Sequence, residues 1–197
     1  MKKIINIACL LLLGIFLIVT VEGLHFNETN AIPGDVQIVR SEVMNDYGKA
    51  VLFEDKQDKT FGIAQLKKEF NVLYRFGGST IGHWIEEGKP FETAGFGDAK
   101  HFSVAIKTAK DSNIKYIALG NHMEDVLPTE TYELSLEHVK ANPDVYHLKE
   151  VHDNYVLFVL DEYSEDTWTI RAFNREGNFV ADKIFGGKER YIDSIMN

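Results

Sequence analysis

Hydrophobic and polar positions follow two regimes along the chain. From Ile4 to Val21 the sequence is apolar except at Asn6, Gly14 and Thr20. Beyond residue 35 the apolar residues fall into short runs broken by polar turn-formers. These runs are rich in Val, Ile, Phe, Tyr and Trp, the side chains that fill a pleated, half-buried surface. In TWTIRAF, Thr167, Thr169 and Arg171 alternate with Trp168, Ile170 and Ala172, so the period is that of a strand with one buried face. The chain is therefore expected to be strand-rich after its first segment.

The runs also repeat. EVMNDYGKAVLFED, from Glu42, lines up with EVHDNYVLFVLDEY, from Glu150, at an offset of 108. TFGIAQLKKEFN from Thr60 matches TWTIRAFNREGN from Thr167 at 107, and Phe76-Gly77-Gly78 matches Phe185-Gly186-Gly187 at 109. The slips fall at turns, where insertions are tolerated. Each copy reads as four strands. The first has VQIVRSEV, YGKAVLFE, TFGIAQL and NVLYRF; the second has VYHLKEV, YVLFVLDE, TWTIRAF and NFVADKIF. Polar connections such as HDN, YSED and NREG suit hairpin turns. The Gly-Gly pairs read as tight turns at strand ends.

Between the copies, HFSVAIKT and IKYIALG read as a hairpin, and Thr80 to Glu87 as a short helix. Ser135 to Asn142 reads as another helix, capped by Ser135 and stopped by Pro143. The expected fold class is α+β and predominantly antiparallel β: two four-stranded meanders, an internal duplication, with a mixed insert between them, after one N-terminal hydrophobic helix. The expected boundaries are a signal-anchor or signal peptide over 1–23, a tether over 24–35 and one domain over 36–197. The repeat copies span about 36–86 and 144–193.

The first segment carries an address. Lys2 and Lys3 precede the apolar run, and no Lys or Arg follows it until Arg40. A basic start before an apolar run is the layout of an export signal. The run's 18 residues exceed the usual core of such a signal. As a helix they would reach about 27 Å, close to the hydrocarbon thickness of a bilayer. The charge asymmetry leaves the N-terminus in the cytoplasm and the rest outside. The expectation is a single-pass cell-membrane anchor; the alternative is secretion after cleavage near Gly23.

Composition narrows the chemistry. The net charge is −9, from 21 Lys+Arg against 30 Asp+Glu, and no basic block interrupts the acidic balance. Nucleic acid is excluded as a partner on that ground, because phosphate contacts by Lys and Arg supply most of such affinity. The single cysteine, Cys9, lies inside the apolar run, so the expected exported part has no thiol for a disulfide, a thiolate metal site or a nucleophile.

No cofactor motif is present. The glycine pairs lack the Gly-Lys-Ser/Thr of a phosphate loop, and no Gly-x-Ser-x-Gly elbow occurs. Two site readings follow. The first is a non-enzymatic binding or accessory domain whose partner is an envelope or membrane protein, met through Trp84, Phe91, Phe96 and Phe102 of the insert. The second is a small extracytoplasmic hydrolase using carboxylates or a His-bound metal, built from His122, Glu124, His147 and Glu150.

Overall fold

A computed structural model describes Gly14 and residues 21–45, 47–122, 132–161, 163–164 and 168–192. In chain order these residues form β1 (Leu24–His25), α1 (Glu28–Ala31), β2 (Val36–Met44), β3 (Gly48–Asp55), β4 (Phe61–Glu69) and β5 (Leu73–Ile81). Next come β6 (Phe91–Gly97), β7 (Phe102–Thr108), β8 (Ile114–Leu119), α2 (Leu136–Ala141) and β9 (His147–Glu150). The last strands are β10 (Tyr155–Leu160), β11 (Ile170–Asn174), β12 (Phe179–Lys183) and β13 (Arg190–Tyr191). Every pairing is antiparallel, so the fold is predominantly antiparallel β. The strands make three sheets: a front sheet β1-β5-β4-β3-β2, a central sheet β10-β7-β6 and a rear sheet β13-β12-β11-β8-β9.

Side-chain alternation stacks them. Ala50, Leu52, Phe61 and Ile63 of the front sheet pack on Ala94, Ala105, Tyr155 and Leu157 of the central sheet. The opposite face of the central sheet, with Val104, Ile106, Val156 and Phe158, packs on Ile117, Leu119, Ile170 and Ala172 of the rear sheet. Both faces of β10 are therefore buried, which is why YVLFVL carries no polar alternation. The outer faces are closed by the short helices. Ala31 and Ile32 cover Val51 and Phe53 of the front sheet, while Leu136 and Val139 cover Ala118 and Phe173 of the rear.

The four strands of the first expected copy do form a meander, β2 to β5. The second four do not. β9 pairs with β8, β10 with β7, and only β11 and β12 pair with each other. The repeated residues share strand positions but not strand partners. The expected hairpin of HFSVAIKT and IKYIALG is also corrected. β7 and β8 lie in different sheets, because their apolar faces pack onto one another rather than side by side.

Three further readings change. Residues 24–35, expected as a free tether, belong to the folded domain. Leu24 and His25 pair with Arg75 and Tyr74 of β5, and Leu24, Ala31 and Ile32 are buried. Thr80 and Ile81 end β5, and no helix follows over 82–87. Gly77 and Gly78 lie inside β5 at a bulge opposite Gln65 and Leu66 rather than in a terminal turn. A Cβ on Gly78 would stand 2.3 Å from the Phe96 ring, so the glycine admits that aromatic from the central sheet.

Ser135 caps α2 as expected, its side chain accepting from the His138 N–H. Most of the apolar run 4–21 lies outside the described residues. Among the described residues no helix is long and apolar enough to cross a membrane.

Candidate functional site

On the rear side a cleft of about 570 Å³ opens between α2 and the end of β8, walled among the described residues by Asn121, Tyr132, Glu133, Leu134, Ser135, His138 and Tyr146. Its floor begins in the sheet. Arg171, in the middle of β11, lies opposite Ala118 of β8 and Asp182 of β12. Strand alternation sends Arg171 toward the face closed by α2, where it is fully buried. A buried guanidinium needs acceptors for its planar fork of donors. The chain supplies them at the turn out of β8, where Gly120 (φ +123°) and Asn121 (φ +53°) swing two carbonyls inward.

Arg171 Nη1 donates to the Gly120 carbonyl and Nη2 to the Asn121 carbonyl at 2.7 Å. Nε donates to the Tyr132 hydroxyl at 3.1 Å. The cation also lies over two aromatic faces, 5.5 Å from the Tyr132 ring centre and 5.8 Å from that of Tyr146. Asn121 Nδ2 donates to the Tyr146 hydroxyl at 2.8 Å. Thus one buried arginine fixes three wall residues of the cleft.

Asp182 continues the network. It is fully buried, and Arg190 grips both its oxygens, from Nε at 2.7 Å and Nη2 at 3.2 Å. Burial pushes the Tyr132 hydroxyl well above its usual pKa, and the Asp182 charge adds to this against the opposing pull of Arg171. Tyr132 is therefore a neutral phenol at any physiological pH and no base.

The wall residues with nucleophilic or basic side chains are not paired for catalysis. The Ser135 hydroxyl oxygen accepts from the His138 backbone N–H at 3.1 Å. The His138 ring stands edge-on to Tyr146, centroids 6.1 Å apart. Acyl transfer would need the hydroxyl and the imidazole directed at each other. The cleft offers aromatic edges, an amide, a carboxylate and hydroxyls on a braced floor.

Two other polar clusters serve the stack. Lys107 of β7 donates to Glu54 of β3 at 2.7 Å, and the Tyr155 hydroxyl donates to the same carboxylate. Lys89 lies 3.4 Å from Glu92 and 3.5 Å from Glu189, and Glu189 also accepts from Lys183. In both clusters the charges neutralise one another.

The residues expected from sequence are dispersed. Phe91 and Phe102 are core residues between the central and rear sheets, and Phe96 packs half-buried between the front and central sheets. Trp84 alone of the four is exposed, at 67%. They form no common patch, because β6 lies in the central sheet, where both faces are covered. Of the proposed metal set, Glu124 lies outside the described residues. His122 Nδ1 is 3.2 Å from the Thr169 hydroxyl and its ring lies edge-on to Phe185. His147 and Glu150 are three residues apart on β9 and so project to opposite faces. Glu150 pairs with Lys115 at 2.5 Å. Among the described residues, no group of three His, Cys, Asp or Glu could hold a metal.

Arg171, Tyr132 and Asp182 were not singled out from the sequence, where the face carrying Arg171 read as solvent-facing. A signal was present: Arg171 inside the apolar run IRAF and Asp182 directly after the apolar FVA.

No protein-family model matches the chain, and neither a curated protein nor a solved structure matches it.

Proposed function

We propose that this chain is a non-enzymatic binding domain, tethered to the outer side of a cell membrane, that takes an envelope component in the cleft between α2 and the rear sheet. The observation that carries the binding half is the buried Arg171, which rigidifies Asn121, Tyr132 and Tyr146 around an open cleft. Such pre-organisation lowers the ordering cost of recognition. The tethered half rests on the sequence, with Lys2 and Lys3 before the run 4–21 and no basic residue until Arg40.

A titration of the isotope-labelled full chain in detergent micelles with solubilised envelope fractions tests the binding half. Shifts concentrated at Asn121, Tyr132, Ser135 and His138 support the cleft. Shifts confined to other surfaces, or none at millimolar ligand, overturn it.

A further inference from the structure

We propose that the β4–β5 hairpin, with Phe70 at its apex, docks into the interfacial layer of the same bilayer that receives the apolar run. This rests on the tethered reading above. The hairpin closes through the four-residue turn Glu69 to Val72, in which the Val72 N–H donates to the Glu69 carbonyl at 3.2 Å. Both central residues adopt the left-handed region, Phe70 at φ +50° and Asn71 at φ +62°. Asparagine is at home there; a bulky aromatic is not. Burial does not offset the strain, since Phe70 is 81% exposed. A strained residue that does nothing for packing points to a role outside the fold.

The neighbours share its character. Phe26 and Val72 are exposed large apolar residues. The register of β1 on β5, with His25 opposite Tyr74, carries Phe26 to the Leu73 end of β5, beside the turn. Lys67 and Lys68 stand just below the apex on β4. An apolar tip with a collar of lysines is the pattern of an element that seats in a headgroup layer, apolar groups inward and ammonium groups snorkelling outward.

The bilayer is the chosen occupant because of where the apolar run ends. Only Glu22 and Gly23 separate Val21 from β1, so no free tether holds the domain away from the surface. Arg75 ties that junction to the hairpin: its guanidinium lies 3.6 Å from Glu22 through Nη1 and 3.6 Å from Glu69 through Nε. The end of the run and the residue preceding Phe70 thus share one cation. The β1 register runs Gly23 and Val21 away from the tip, but the shared guanidinium keeps the junction within a side chain's reach of the hairpin, so a chain that enters a membrane at Val21 holds the tip near the same surface. The net charge of −9 opposes attraction to anionic lipid, so the docking is apolar and does not require anionic headgroups.

The test uses the full chain carrying Phe70→Trp, reconstituted into phosphatidylcholine vesicles with and without brominated acyl chains and then floated. Docking gives co-flotation and about twofold or greater bromine quenching over the parent chain, as suits a tip seated in the acyl boundary. The control is Ile81→Trp, at the far end of β5, about 25 Å away along the strand, which stays unquenched. Co-flotation with no added quenching at position 70 overturns the docking and leaves the tether standing. Equal quenching at both positions overturns it as well. Failure to co-float overturns the tether and the docking with it. A blue shift of the position-70 emission that grows with protein concentration in lipid-free detergent assigns the tip to a second copy instead, and overturns the bilayer.

Discussion

Lys107 of the central sheet donates to Glu54 of the front sheet at 2.7 Å, and the Tyr155 hydroxyl from the adjacent strand donates to the same carboxylate. Two sheets are thereby pinned through one acidic side chain. Burial disfavours the Glu54 carboxylate, but the hydrogen bonds from Lys107 and Tyr155 outweigh it and hold its pKa below the ordinary range. Glu189 has the same balance: burial opposes its charge, and the Lys183 hydrogen bond, its backbone hydrogen bond and the charges of Lys183 and Lys89 together more than compensate. A carboxylate with a depressed folded pKa stabilises the fold above its unfolded pKa, and that contribution is lost as pH falls through the folded value. The expected unfolding midpoint is level from neutrality down to about pH 5 and declines below the ordinary glutamate range of about 4.3. Glu54→Gln lowers stability at pH 7 by about 1–2 kcal/mol and flattens part of the acid decline, as measured by denaturant unfolding across a pH series.

Arg171 gives the largest expected loss. Arg171→Leu strands the Gly120 and Asn121 carbonyls and the Tyr132 hydroxyl, and costs about 3–5 kcal/mol by the measure of broken buried ionic networks. Arg171→Lys keeps the charge but loses the planar fork. It is expected to fold with a lower unfolding midpoint and with a Tyr132 environment altered in its ring-proton shifts.

Gly120→Ala tests the turn that presents those carbonyls. A Cβ there would stand 2.1 Å from the Val145 carbonyl oxygen, and φ is +123°. Backbone must move, so the expected loss is about 2–3 kcal/mol or more, with the cleft resonances of Asn121 and Tyr146 displaced. Gly186→Ala, with no atom within 4 Å of its Cβ, costs only the left-handed strain, about 1 kcal/mol.

Phe70→Asn is expected to stabilise. The substitution places at φ +50° a residue that tolerates the left-handed region. The gain is about 0.5–1 kcal/mol, a rise of about 1–4 °C in Tm for a chain of this size. Thermal unfolding in detergent reads it. A lowered Tm would contradict the strain at that apex.

The front sheet was legible in the sequence because its strands pair in the order in which they occur. VQIVRSEV, YGKAVLFE and TFGIAQL became β2, β3 and β4 with shifts of up to three residues at their ends. The rest was illegible for a physical reason. β7 and β8 carry the same apolar period whether they pair edge to edge or face each other, and only the sheet-to-sheet packing of Val104 and Ile106 on Ile117 and Leu119 distinguishes the two. Residues 24–35 lack any hydrophobic period because they hold only a two-residue strand and a four-residue helix. The cleft depends on Arg171, whose polar character reads as exposure until α2 and Tyr132 are seen to cover it. Ser135, by contrast, announced its helix, since a cap is a local interaction.

The most direct measurement is fractionation of a bacterial host expressing the full chain, with the mass of the product and its cleavage by protease added outside intact cells. A membrane-tethered domain gives the full-length mass in the membrane fraction and loses its C-terminal part to external protease. Full-length protein in the cytosolic fraction, untouched by the protease, contradicts the tethered binding domain. A soluble exported product that begins near Leu24 contradicts the tether and leaves a secreted domain.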